Sequence, residues 1–215
     1  MKFKIILKTT HKNYNRVENC VNTWLKDLEY VCITDKLTGK FNELSCSEND
    51  TYESNEEKTV TFFNIVKNTT MFDSYDWLFF IDDDAYLNVN YFYYILPYLE
   101  KNKFYGLKMA GYPKKPNIYF PSGGSGYIIS PAMIKTFSSM HKPEYTSGGA
   151  EDFVVGNWLK ENNQDINQTI FIDGKEHFFK LNGWWPFHRE KTILESKTAL
   201  PNDYKEIIIN DIVDK

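Results

Sequence analysis

Residues 77–81, Trp-Leu-Phe-Phe-Ile, are apolar without a break, and the next three residues are all aspartate. A strand with one wet face alternates apolar and polar residues. A strand covered on both faces does not need to, and a continuous run of this kind suits a sheet with helices on either side. The run therefore predicts a central strand. Asp82, Asp83 and Asp84 then stand at its carboxyl end, the end that faces the ligand crevice in open α/β sheets.

The flanking sequence supports such a sheet. Ile5-Ile6-Leu7 forms a short buried strand, closed by Lys8, and Tyr30-Val31-Cys32-Ile33 a second one that ends at Thr34-Asp35. Between them Val17, Val21, Trp24 and Leu28 recur at helical spacing. Gly39 to Asn55 reads as an exposed irregular loop, and Val60, Phe63 and Val66 mark a second helix. A helix with Tyr91, Ile95 and Leu99 follows the aspartates, with Pro97 as its kink or stop. Tyr105 to Ala110 reads as a further strand. Ser130-Pro131 supplies N-cap and first-turn chemistry for a helix over Ala132 to Met140. Glu151-Asp152 opens another through Leu159. Strands alternating with helices, without a linker or repeat, predict one α/β domain over residues 1–215, with 193–215 as a C-terminal tail of unassigned packing.

Composition excludes several function classes. With 42% hydrophobic and 17% aromatic residues the chain can build a large core. A formal net charge of -4 argues against nucleic-acid binding. No stretch approaches the apolar length of a transmembrane segment. Cys20, Cys32 and Cys46 make no disulfide framework or Cys-x-x-Cys pair and read as reduced thiols of a cytoplasmic protein.

Four features carry candidate chemistry. Three adjacent carboxylates repel one another, and a divalent cation relieves that repulsion; hard oxygen ligands suit magnesium or manganese. A solvated turn with Asp capping the next helix satisfies the same residues. The loop Ser122-Gly123-Gly124-Ser125-Gly126 lacks a P-loop lysine, and it either connects two strands or lets backbone approach a ligand. Glu151 and Asp152 either stabilise a helix N-terminus or keep an ionised carboxylate ready to accept a proton. His188, after Trp184-Trp185-Pro186-Phe187, is either a packed side chain or a metal ligand.

Taken in order, these motifs resemble the fringe-like β-1,3-glycosyltransferases. Lys8-Thr9-Thr10 with Arg16 and Thr23-Trp24 is similar to the family's opening strand and helix. Ile33-Thr34-Asp35 is similar to its second strand end, and 76–86, Asp-Trp-Leu-Phe-Phe-Ile-Asp-Asp-Asp-Ala-Tyr, to its metal motif. Ser122 to Tyr127, Glu151 to Gly156 and Phe187-His188 resemble its glycine loop, acidic helix start and late histidine. The resemblance spans about Lys4 to Glu190. It implies a GT-A-type, Rossmann-like fold with a mixed, mostly parallel sheet flanked by helices. It also implies an inverting, metal-dependent transfer from a UDP-sugar donor to a glycan or glycoprotein acceptor, usually with Mn2+ (or Mg2+). By the same resemblance Asp84 is the main metal ligand, with His188 as the second and Asp82 and Asp83 contacting the metal indirectly, the ribose or the donor sugar. Asp152 is the catalytic base, with Glu151 second. Gly123 and Gly124 line the donor site, and Thr9, Thr10 and Asp35 lie near the nucleotide. Trp184 and Trp185 either stack on a sugar or pack into the core. The chain lacks the animal family's membrane anchor and most of its cysteines, which suits a soluble microbial or viral enzyme.

Two other classes compete. A sugar nucleotidyltransferase would carry a glycine-rich basic loop after its first strand, where this chain has Lys8-Thr9-Thr10-His11-Lys12-Asn13. A non-catalytic carbohydrate-binding module would keep the aromatics but be free to lose the metal motif or the base, and both are present here.

Overall fold

A computed structural model describes residues 1–87, 89–112, 115–142, 150–172 and 175–178. The chain order is β1 (Phe3–Lys8), a 3-10 turn, α1 (Tyr14–Val21), β2 (Tyr30–Thr34), β3 (Glu43–Ser45), α2 (Ser54–Asn68) and β4 (Trp77–Asp82). There follow α3 (Val89–Ile95), β5 (Phe104–Gly106), β6 (Lys108–Tyr112), β7 (Lys115–Pro121), β8 (Tyr127–Ile129), α4 (Pro131–Thr136) and α5 (Glu151–Glu161). The last strands are β9 (Ile166–Asn167), β10 (Thr169–Ile172) and β11 (Lys175–Phe178).

Seven strands form the main sheet in the order β3-β2-β1-β4-β8-β5-β9. Strands β3, β2, β1 and β4 are parallel to one another, β8 is antiparallel to β4, and β5 and β9 run with β4 again. The sheet is therefore mixed and mostly parallel, as the resemblance implies. The unbroken apolar run accounts for β4 lying inside it. Phe79 and Ile81 face one layer, with α1 and α3. Leu78 and Phe80 face the other, with α2, α4 and α5. All five side chains of 77–81 are fully buried. Each large apolar side chain so placed contributes on the order of 2 kcal/mol.

Several elements end earlier than their apolar spacing suggests. Helix α1 stops at Val21, where the Thr23 hydroxyl donates to the carbonyls of Asn19 (2.6 Å) and Cys20. That bonding competes with helix continuation. Trp24 and Leu25 are nevertheless buried, delivered by a turn rather than by helix. Helix α4 ends at Thr136 instead of Met140. Phe137 turns extended and packs its ring 4.9 Å from Trp158, whose indole N–H donates to the Ser138 carbonyl. Only Val89–Ile95 of the third helix is α-helical; a 3-10 turn over Leu96–Tyr98 carries Pro97. Tyr105 to Ala110 is split between β5 and β6, and the 39–55 loop contains β3.

Sheet order places the site. From β1 the chain moves to β2 and β3 on one side, then returns through α2 to β4 on the other. This reversal between β1 and β4 is a switch point, where the strand ends diverge and leave a crevice. Lys8 pairs in register with Asp82 there. Because β8 runs oppositely, the loop before it, Ser122 to Gly126, reaches the same edge.

Candidate active site

Strand alternation divides the three aspartates. Asp82 continues the Phe80 side, toward α5, and Asp83 continues the Ile81 side, toward α1. The Asp82 and Asp84 side chains stay 31% and 25% exposed, whereas that of Asp83 is 6% exposed. Asp83 accepts a 2.7 Å hydrogen bond from the Thr9 hydroxyl and lies 3.4 Å from Arg16 of α1. Its backbone N–H donates to Lys8, and its carbonyl accepts from Cys20. Burial pushes the Asp83 carboxyl up to about 7, with Asp84 and Asp82 adding to the effect and Thr9 and Arg16 opposing it. Arg16 also lies 3.6 Å from Asp84.

Opposite stands the start of α5. Glu151 is buried and bonds the ammonium of Lys8, which is itself 2.9 Å from Asp82. Burial opposes the charge on Lys8, but Asp82 and Glu151 outweigh it and hold the ammonium well above its ordinary range. Asp152 is partly buried. Its Oδ1 accepts from the Phe153 N–H at 2.8 Å, and its Oδ2 lies 3.5 Å from the Gly123 N–H. Burial and the charge of Glu151 push its carboxyl up to about 7, against Lys8 and those two N–H groups.

A cavity of about 400 Å3 opens between these walls. Asp82, Asp83, Asp84, Glu151, Lys8, Thr9, Thr10 and Arg16 line it, with Asp50, Thr51, Tyr52 and Asn55 along the side leading into α2. Of the residues singled out from sequence, Asp35, Gly123, Gly124 and Asp152 do not line it. Gly123 instead packs behind Glu151: a Cβ there would meet Glu151 Oε1 at 2.5 Å and Lys8 Nζ at 3.0 Å. Gly126 has φ +75°, and its Cβ would strike the Phe79 ring at 2.6 Å. Asp35 is engaged by His11, through the backbone N–H at 2.9 Å and ring Nδ1 at 2.5 Å. His188, Trp184, Trp185 and the 193–215 tail lie outside the described residues.

Among the described residues, the set with the closest metal-ligand spacing is His11, Asp35 and Asp50. Asp50 is paired with Lys12, and the buried Lys58 contributes positive charge near Asp35 and Asp50. Two cations thus already attend those two carboxylates. At the aspartate motif five carboxylates, Asp82, Asp83, Asp84, Glu151 and Asp152, gather around Lys8 and Arg16 among the described residues. A hard divalent cation fits that surplus of oxygen donors.

No protein-family model matches the chain. Two solved structures follow part of its course. One is an active-site mutant of LgtC, at 11% identity over 72% of this chain and 70% of that one, with a TM-score of 0.46. The other is the galactosyltransferase LgtC in complex with donor and acceptor sugar analogues, at 10% identity over the same shares, with a TM-score of 0.44. At that distance the likeness is one of chain course only, and the chemistry of the site stands on its own residues. Among the described residues no helix is long and apolar enough to cross a membrane.

Sequence reasoning missed Lys8, Tyr52 and Lys58 as parts of this region. Lys8 looked like the polar end of an apolar run, although its place in the alternation, two after Ile6, points it to the α5 face. Tyr52 fell in a segment without periodicity. Lys58 sits on α2 with its ammonium 3.0 Å from the Thr9 carbonyl, a partner 49 residues away that no local pattern discloses.

Proposed function

We propose that this protein is an inverting, metal-dependent glycosyltransferase that moves a sugar from a UDP-sugar to a hydroxyl of a glycan or glycoprotein. One observation carries the reading: the aspartates ending β4 and Glu151 at the start of α5 line one cavity of about 400 Å3 at the β1/β4 switch point, with Asp152 next to Glu151 behind its wall. The order of the motifs, which resembles that of the fringe-like enzymes, supports the same roles.

In this reading Asp84 and Asp82 hold Mn2+ or Mg2+ on the cavity side, with His188 as a further ligand. The bound cation supplies the positive charge that a departing diphosphate needs. Asp83 braces the motif from the α1 side through Thr9 and Arg16. Thr10 and the His11–Asp35 pair sit at the strand ends where the nucleoside would lie. Asp152 takes the proton from the acceptor hydroxyl as that oxygen attacks the anomeric carbon, and attack opposite the leaving group inverts the centre. A carboxyl with a pKa of about 7 suits the task, since a large share of it is ionised near neutral pH and it is basic enough to accept a proton. The nucleotidyltransferase alternative needs its basic group presented to phosphates, whereas Lys8 is taken up by Asp82 and Glu151.

The test is a screen of nucleotide-sugars for Mn2+-dependent binding and slow hydrolysis. At least one UDP-sugar is expected to bind with Mn2+ and be hydrolysed. No UDP-sugar binding at any Mn2+ concentration would contradict the reading.

A further inference from the structure

Lys8 joins three elements that sequence keeps far apart. It ends β1, its ammonium lies 2.9 Å from Asp82 of β4, and it bonds Glu151, 143 residues away at the start of α5. It is buried, with 6% of its side chain exposed, and its ammonium stands 5.6 Å from the centre of the Tyr127 ring. The glycine loop is shaped around the contact, because any side chain at Gly123 would displace Glu151 or Lys8. Glu151 is thereby bound as a counter-ion. Asp152, the next residue, makes contact with two backbone N–H groups and has no ion pair of its own among the described residues.

We propose that Lys8 is a positioning residue, which fixes Asp82 and Glu151 in one brace and so leaves Asp152 to receive the proton. The inference rests on the glycosyltransferase reading above. Among the described residues, the titratable groups near Asp152 are Glu151 beside it, Lys8 from β1, Tyr127 from β8 and Tyr52 from the loop before α2. Among them Lys8 alone brings positive charge, opposing Glu151. Removing Lys8 therefore raises the Asp152 carboxyl further, and removing Glu151 as well brings it back down.

The experiment compares the wild type with Lys8→Met, Lys8→Arg and the double variant Lys8→Met/Glu151→Gln. Three readouts are taken: melting temperature, UDP binding with Mn2+, and the pH profile of hydrolysis of whichever UDP-sugar the wild type accepts. Lys8→Met is expected to keep Mn2+-dependent UDP binding through Asp84. Its hydrolysis falls about tenfold, a small part of what a general base supplies, and its acidic limb moves up by roughly one pH unit. Lys8→Arg restores most of the rate and the wild-type limb. The double variant, which leaves neither charge unpaired, brings the limb back while the rate stays low. Should Lys8→Met fail to fold, the double variant decides: a low rate with an unshifted limb supports the brace. A wild-type rate and limb in Lys8→Met, or a wild-type rate in the double variant, would overturn it. If the wild type binds no UDP-sugar with Mn2+, the glycosyltransferase reading itself fails and the positioning role falls with it.

Discussion

Asp82, Asp83 and Asp84 have one chemistry and three surroundings. All three line the cavity, but Asp83 is buried against Thr9 and Arg16, whereas the Asp82 and Asp84 side chains keep more of their surface exposed. Asp83→Asn preserves the shape and the Thr9 contact, so UDP affinity in Mn2+ should change by less than about threefold, under 1 kcal/mol. A loss as large as that of Asp84→Ala would make Asp83 a ligand after all. Asp152→Asn should keep UDP binding and lower donor turnover by roughly 10²–10⁴-fold. The sign of its pH dependence follows from the carboxyl at about 7: below that value the base is protonated, so turnover rises with pH through 7 and then levels. Unchanged turnover in Asp152→Asn would return the role to Glu151. Gly126→Ala forces a positive φ and a 2.6 Å clash with Phe79, at a cost of about 3 kcal/mol in denaturant unfolding. An unchanged midpoint would contradict that geometry. The period of two is enough to send Asp82 and Asp83 to opposite faces, so this division was legible in the alternation, although the motif resemblance treats the two aspartates alike. The pairing of Lys8 with Glu151 was not, because it depends on how α5 lies across the sheet.

Among the elements, the strongest strand signal and the clearest cap were the most faithful guides. Residues 77–81 form β4, and Ser130 caps α4 by accepting from the Met133 N–H at 3.1 Å while donating to the Lys101 carbonyl. Ser130→Ala should therefore lower unfolding free energy by about 1–2 kcal/mol. A smaller change, a few tenths, would mean that Pro131 alone starts the helix. Helix ends were less legible. Trp24 and Phe137 satisfy the apolar spacing of their helices, yet each reaches the core from non-helical backbone. Periodicity reports which side chains are buried, and several backbone paths bury the same ones. In α1 the competing bond comes from Thr23; in α4 the aromatic contact with Trp158 decides.

For the whole molecule, the order β3-β2-β1-β4-β8-β5-β9 has one consequence above others: the aspartates ending β4 and the acidic start of α5 reach one edge of one sheet. The α/β class followed from strands alternating with helices, but the strand order, and hence the switch point, needed the long-range pairings. The same layering buries all three cysteines, and burial pushes the Cys32 and Cys46 thiols up to about 12. The native protein should accordingly resist a thiol-specific chromogenic reagent at mildly alkaline pH and react at all three positions only once unfolded; rapid native labelling would contradict the packing. The proposed function turns on a cation held at the cavity by Asp84. Calorimetric titration of UDP into the wild-type protein and into Asp84→Ala, each with Mn2+ and with chelator, tests it most directly. Binding by the wild type that requires Mn2+ and disappears in Asp84→Ala is the predicted result. Equal UDP affinity with and without the metal would contradict it.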